Sequence, residues 1–338
     1  GQFSVNKLEG IEDLEETNSN GQINLKAYIA NGIKLAFNSS ITNSQFKNVL
    51  IDLKRTIISA QPTIVYKTSN YHLEAGVSYV NDQAATKEYF FPKIEFGYKL
   101  NDNHQLIGGF TGDVQFNNFQ SLLRENIYLN DKLSSFSNTG SPIQIYAIFK
   151  GGNSSEVQET RYTYDVKLKY SQSNNLPIFI HGDRNSERDP LVFNPEYIGQ
   201  LSSVSNFQID ANFDKKFNQT WSTSLNLKSN NYSGDIQYSN ILLRPLIDLN
   251  YQVMYQGLNW DFSPNIGFTS GLYGYQTKSN QVVKMENISL VNLNIGYRLT
   301  RTFRIFSNWN NLLNQKYQRI INYREIGFNF NAGVLYAF

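Results

Sequence analysis

The sequence predicts an all-β protein, a transmembrane antiparallel up-and-down β-barrel of about sixteen strands, with about fourteen as the alternative. Three observations carry this. Apolar residues recur at every second position along most of the chain, the signature of strands with one greasy and one polar face. The alternating segments run about ten residues, the length of a tilted strand crossing a bilayer and not the ~5–6 residues of a sandwich strand. Their connections alternate between short and long, as in a barrel with tight turns at one rim and larger loops at the other. Residues 1–338 are read as one barrel domain.

Composition narrows the class. The chain of 338 residues has no cysteine, which excludes disulfides and thiolate chemistry within it, and no lipid anchor on an N-terminal cysteine is expected. Its net charge of +2 comes without a polybasic run, so no nucleic-acid partner is expected. Mean hydropathy is −0.43 and no stretch reaches the ~18 apolar residues of a membrane helix. A barrel escapes that test, because only alternate residues meet lipid. Gly1-Gln2 opens no signal peptide, so a mature, already processed chain is expected.

Each element shows the same alternation. Ile23, Leu25, Ala27 and Ile29 lead to Asn31-Gly32, the preferred chemistry of a two-residue hairpin, and Ile33, Leu35 and Phe37 return. After an irregular stretch come Ile58, Ala60, Pro62, Ile64 and Tyr66, a turn at Ser69-Asn70, and Tyr71 to Tyr79. The clearest strand sets Phe90, Pro92, Ile94, Phe96, Tyr98 and Leu100 against Phe91, Lys93, Glu95, Gly97 and Lys99. Leu106, Phe110, Val114 and Phe116 are expected to face away from Gln105, Thr111, Asp113 and Gln115. Asn117 to Ser141 breaks the pattern, with one helical turn expected around Leu122-Leu123, and Ser171 to Ser202 reads as a second long loop.

Between those loops, Ile143 to Phe149 and Tyr162 to Tyr170 alternate. Phe207 to Phe213, Trp221 to Leu227, Ile247 to Tyr255, Leu258 to Phe268 and Val291 to Leu299 follow, then Phe303 to Trp309. About fifteen strands run from Gln22, and a barrel with both ends in the periplasm needs an even number. Phe3-Ser4-Val5-Asn6 supplies the extra strand, followed by an acidic loop from Glu9 to Asn20. Aromatics near strand ends fit the interfacial girdles of a membrane barrel.

The last stretch, Ile326 to Phe338, has an apolar residue at every even position and ends on Tyr336-Ala337-Phe338. This aromatic-x-Phe ending resembles the C-terminal strand of bacterial outer-membrane barrels, which implies that Tyr336 and Phe338 form an insertion signal read by the barrel-assembly machinery. The run from Val291 to Phe338 resembles the closing strands of TonB-dependent receptor barrels. Asn311-Leu312-Leu313-Asn314-Gln315-Lys316-Tyr317 matches that family's Asn-Leu-x-Asn-x-x-Tyr element at the end of the penultimate strand. The resemblance implies a Gram-negative outer-membrane barrel in contact with lipid and lipopolysaccharide. It departs from the family in length. TonB-dependent receptors add a plug, a TonB-contacting segment and a barrel of about twenty-two strands. This chain is too short for all three and its first residues resemble no plug, so a plugless barrel without energised import is expected.

Motifs for catalysis are missing: no G-x-S-x-G, Walker A or H-E-x-x-H is present, so no enzyme and no cofactor are expected. His181-Gly182-Asp183, with Glu187 and Asp189, is a weak metal-loop pattern, read as an ordinary polar loop. His72 shares its face with Glu74 and is read as a lumen residue. Lys93, Glu95, Lys99, Asp113, Asp165, Lys167 and Lys169 are expected to line the lumen, either tuning selectivity or forming a plain solvated wall. Two functions follow: first, a structural or accessory subunit of an outer-membrane complex for export, surface assembly or barrel insertion; alternatively, a passive diffusion channel for small solutes.

Overall fold

The computed structural model describes residues 2–9, 14–48, 50–126, 129, 136–153, 160–181, 195–201, 203–234, 244–276, 281–321 and 323–337. Strands β1 (Gln2–Glu9), β2 (Glu15–Ala30), β3 (Ile33–Lys47), β4 (Asp52–Lys67), β5 (Tyr71–Asp82), β6 (Lys87–Asn101) and β7 (His104–Gln115) form an antiparallel meander. Helix α1 (Phe119–Glu125) follows, then β8 (Thr139–Asn153), β9 (Arg161–Asn174), β10 (Leu176–His181), β11 (Pro195–Leu201), β12 (Val204–Lys216), β13 (Trp221–Gly234), β14 (Ile247–Gln256) and β15 (Trp260–Ser270). The chain continues with β16 (Tyr273–Gln276), β17 (Gln281–Lys284), β18 (Ile288–Arg298), β19 (Phe303–Asn310), β20 (Gln318–Ile320), β21 (Tyr323–Arg324) and β22 (Asn329–Tyr336).

One sheet of 16 strands is the barrel wall, in the order β1 to β9, β12 to β15, β18, β19 and β22. Among the described residues no ladder joins β1 to β22. The remaining strands lie off the wall, as a 4-stranded sheet of β11, β10, β16 and β17 and a 2-stranded pair of β20 and β21. Short turns gather at one rim together with the end of β22, where Tyr336 lies opposite Phe303. The longer connections gather at the other rim. Gly32 shows what a tight turn asks of its residue. It has φ +77°, and a Cβ there would come within 2.6 Å of the Lys67 carbonyl, so a side chain is excluded by both conformation and space.

The alternation read from the sequence is the alternation of the wall. Leu25, Ile94 and Val334, at 58, 50 and 57 % exposure, stand on an outer face with no protein over it. Exposing a whole face of large apolar residues to water is unfavourable, and lipid is the solvent that removes the cost. Aromatics ring both edges of this face. Trp221, Tyr255 and Phe262 cluster near the short-turn rim with Trp260 on Tyr297. Trp309 on Phe330 and Tyr79 on Phe90 sit nearer the other rim. These are the interfacial belts of a membrane barrel, and among the described residues no helix is long and apolar enough to cross a membrane.

Four expectations need correction. The irregular stretch before Ile58 is strand, paired without a break from Ile33↔Tyr66 to Lys47↔Asp52. The acidic loop expected at Glu9 to Asn20 is strand from Glu15, with Glu15 opposite Lys47. In both places the strand continues past the apolar belt and carries polar residues on both faces, so the period-two signal fades while the ladder persists. The loop expected from Ser171 to Ser202 contains the end of β9 and the β10–β11 hairpin.

The fourth correction concerns Val114, expected on the lipid face. The β6–β7 ladder ends at Ile94↔Phe110, while β7 stays paired to β8 as far as Gln115↔Thr139. The upper half of β7 therefore parts from β6 and lies over the inner face of β4 to β6. Val114 is buried there with Ile57, Val80 and Phe91.

Candidate functional site

The inner wall carries a cluster of charges on β5, β6, β8 and β9. Glu74 and Glu95 lie directly opposite one another across β5 and β6, an arrangement that repels unless cations intervene. Lys93 Nζ stands 2.8 Å from Glu74, and His72 Nε2 stands 3.6 Å from Glu95 and 4.0 Å from Glu74. Tyr146 reaches in from β8 and donates its hydroxyl to Glu95 at 2.6 Å. Its ring lies over Gly109, where a Cβ would meet the ring at 2.4 Å, so glycine is what lets the tyrosine cross β7. Lys167 closes the cluster with its Nζ 5.3 Å from the Tyr146 ring centroid.

A second feature is a ladder of alternating charge across four neighbouring strands. Lys167 on β9 faces Asp210 on β12, Asp210 faces Lys228 on β13, and Lys228 faces Asp248 on β14. Asp210 accepts a hydrogen bond from Gln208 at 2.5 Å and Asp248 one from Thr269 at 2.9 Å.

The first part of the connection between β7 and β8, through α1, folds inward. Asn118 caps α1, accepting from the Ser121 amide at 2.7 Å while Ser121 Oγ accepts from the Asn118 amide at 2.9 Å. The helical turn expected at Leu122-Leu123 is this helix, and Leu122 is buried with Phe46, Phe119, Phe136 and Phe179. Two charges hold it to the wall. The fully buried Glu16 carboxylate accepts from the amides of Phe119 and Gln120, both at 2.8 Å, from Asn18 at 3.2 Å and from Ser44 at 3.3 Å. Arg55, 3 % exposed, donates to the Asn117 carbonyl and to Asn138 Oδ1, with Phe116 and Phe136 rings 5.0 and 4.8 Å from its guanidinium carbon. Asn138 in turn donates to Asp82 at 2.6 Å.

At its far end α1 meets another part of the wall. Arg244, just before β14, donates to Glu125 at 2.6 Å. The anchors on β2 and β4 and the Arg244 contact just before β14 lie far apart in the strand order, and α1 ties them to one another.

The residues singled out in sequence divide as follows. Lys93, Glu95 and Lys167 meet in one cluster with His72. Lys169 stands opposite Tyr146 on the same face. Asp165 accepts from Asn212 at 3.0 Å. Asp113 pairs in register with Ser141, whose hydroxyl lies 2.9 Å from that of Ser173. Lys99 is exposed at the short-turn rim, away from the others. Tyr336 has its place on β22; Phe338 and the loop from Gly182 to Asp189 lie outside the described residues. Among the described residues no group of histidine and carboxylates is arranged to hold a metal ion.

Sequence reasoning missed Glu16, Arg55, Asp82, Asn138, Tyr146 and Arg244. Tyr146 was open to discovery, since it alternates with Ile145 and Ala147.

The Asn-Leu-x-Asn element forms a turn after β19. Asn311 and Asn314 take φ of 52° and 50°, a region that asparagine tolerates better than most residues. Asn311 closes the turn by donating to the Gln315 carbonyl at 2.8 Å and accepting from the Gln315 amide at 3.0 Å.

No protein-family profile and no curated protein sequence matches the chain. Solved structures do. The ferric enterobactin receptor of Pseudomonas aeruginosa, a point mutant in complex with enterobactin, matches 96 % of this chain and 54 % of its own, with TM-score 0.67 and 12 % identity. The ferripyoverdine receptor of the outer membrane of the same organism, bound to ferripyoverdine, matches 96 % of this chain and 48 % of its own, with TM-score 0.62 and 13 % identity. The copper transporter OprC matches over 96 and 57 %, with TM-score 0.59 and 11 % identity.

The fold is that of a TonB-dependent receptor barrel. The chain spans about half the length of the TonB-dependent receptors it matches. Its apolar outer face and aromatic belts suit the bacterial outer membrane, where such barrels reside.

Proposed function

We propose that this TonB-dependent receptor-like barrel forms the wall of a passage for small polar solutes, with α1 and the residues flanking it, Asn117 to Asn126, as its constriction. The observation that supports this best is the charged strip on the inner wall. The cluster of Lys93, Glu74, His72, Glu95 and Lys167 is half-buried, as is Asp210 of the Lys167–Asp210–Lys228–Asp248 ladder, while Lys228 and Asp248 are exposed on the same wall. A wall kept only for its outer face would gain more from packed apolar residues, because half-satisfied charge is costly in a dry interior. Lys93, Glu95, Lys99, Asp113, Asp165, Lys167 and Lys169 then act as the selectivity-setting lining. The lipid-facing belt seats in outer-membrane lipid and lipopolysaccharide, and the β22 end, with Tyr336 and Phe338, is the segment read by the barrel-assembly machinery.

The test is conductance of the full natural chain in a planar bilayer. Ion-selective steps are expected as the contact between α1 and Arg244 opens and closes, and Lys93→Glu with Lys167→Glu is expected to shift selectivity towards cations. Unchanged selectivity in the double variant contradicts the lining.

A structural or accessory subunit of an export, surface-assembly or barrel-insertion complex is the second reading. It is favoured by an apolar groove of about 560 Å³ in the wall, lined by Leu25, Phe37, Pro62, Ile64, Ala75 and Val77. A silent barrel that co-purifies with a stoichiometric outer-membrane partner supports that reading.

A further inference from the structure

Beneath the far end of α1 lies a cavity of about 360 Å³, bounded by Glu125, Ile178, Lys228, Tyr232, Arg244 and Pro245 among others. That is the low end of the volume of small-molecule sites. Its apolar side is built from Pro177, Ile178 and Phe179 of β10 and from Pro245, with Ile178 and Phe179 buried. Its polar side holds two cations and two carboxylates in different states of commitment. Asp248 already accepts from Thr269 and Glu125 already accepts from Arg244. Lys228 makes no hydrogen bond or ion pair among the described residues. Arg244 has five donors in a fixed fork and places one of them on Glu125. Arg244 and Lys228 therefore keep unspent donors for accepting groups beside an apolar floor, next to two carboxylates that also keep acceptor sites.

The Glu125–Arg244 contact is weak by construction. Both side chains are about a third exposed, and ion pairs with that much water around them are screened and contribute little. An anion that takes the fork of Arg244 bidentately, with Lys228 beside it, forms stronger charge-assisted bonds than the single one it displaces. It also removes the tie that holds the C-terminal end of α1 to the β14 side of the wall.

We propose that this cavity is a binding subsite for a small anion with an apolar body, such as an aromatic carboxylate, and that occupancy frees the far end of α1. The proposal rests on the reading of the segment as the constriction of a passage, and it names the class of solute that opens it. By linkage, a ligand that competes with Glu125 for Arg244 binds more tightly when Glu125 is gone.

The test uses benzoate, with benzylamine as the cationic control of like shape. Binding is followed by calorimetry on the detergent-purified full chain, and mobility by hydrogen exchange at the Leu122 and Asn126 amides. Benzoate is expected to bind and benzylamine not. Arg244→Gln and Lys228→Gln are each expected to weaken benzoate at least tenfold, and Glu125→Gln to tighten it. Exchange at Asn126 is expected to rise with benzoate in the natural chain and to be high without it in Glu125→Gln. Equal binding of benzylamine, no benzoate binding, or binding unchanged in Arg244→Gln overturns the subsite. If benzoate binds as expected but Glu125→Gln never conducts, the passage reading fails and the subsite stands. If Glu125→Gln conducts and benzoate does not bind, the subsite alone fails.

Discussion

Arg55→Ala is expected to release the segment from Asn117 to Asn126 from the wall and to open the barrel interior. Arg55 is nearly inaccessible, and its guanidinium satisfies the Asn117 carbonyl and Asn138. Two rings flank it, a stacking that a planar guanidinium offers and an ammonium does not. Removing the guanidinium takes this donor from the Asn117 carbonyl and leaves Asn138 Oδ1 with the Asn117 amide alone, a cost of about 1–3 kcal/mol while these groups remain buried. Asn138 also carries the bond to the buried Asp82, so the loss propagates to β5. The segment has an escape that a core residue lacks: it can swing into water. The expected outcome is therefore loss of docking with the barrel intact. Hydrogen exchange should rise at the Asn117 and Leu122 amides and stay slow in the β3–β4 ladder. Arg55→Lys should recover little of the protection. Protection equal to that of the natural chain in Arg55→Ala would show that the network does not hold the segment.

Glu16→Gln is expected to do nearly as much from the other side. The carboxylate is an acceptor for four donors. A glutamine amide offers one oxygen and turns two N–H donors towards other donors. Leaving buried donors unmet costs about 3 kcal/mol here, or roughly a hundredfold in the docked fraction. The two variants hold the same segment and should not be additive. Once either has released it, the second has little left to lose, so the double variant should exchange at α1 no more than a few-fold faster than Arg55→Ala. Full additivity would mean that Glu16 and Arg55 stabilise separate structures.

The wall was legible in the sequence because lipid on one side and water on the other impose period two on each strand that separates them. From Phe90 to Leu100 the apolar parity is unbroken, and the strand lies where it was expected. From Ser39 to Ile57 polar residues stand on both faces and the apolar ones, such as Phe46 and Ile57, keep no sustained period of two, so nothing in the local pattern marks a ladder that is nonetheless continuous. Val114 keeps the parity of Leu106 and Phe110, yet its strand leaves β6 after Phe110. The face that parity assigns to lipid then becomes an internal contact. Lys93 and Glu95 could be placed on the inner face by alternation alone. Their partners could not be assigned, since Tyr146 is 51 residues from Glu95 in sequence. Glu16 and Phe119, 103 residues apart, meet because the loop turns inward, and that turn is decided by the apolar cluster around Phe46 and Leu122 and not by any local motif.

The central claim is that α1 ties two separated parts of the wall to one another, and the chain's lack of cysteine makes one measurement decisive. Glu125→Cys and Arg244→Cys in the same chain would carry the only two thiols, to be joined by a short cleavable bismaleimide, with single-channel conductance recorded before and after cleavage. The account predicts efficient intramolecular cross-linking, a closed barrel while the link is intact, and conductance once it is cut. Failure to cross-link, or conductance that is the same with the link intact and cut, would contradict it.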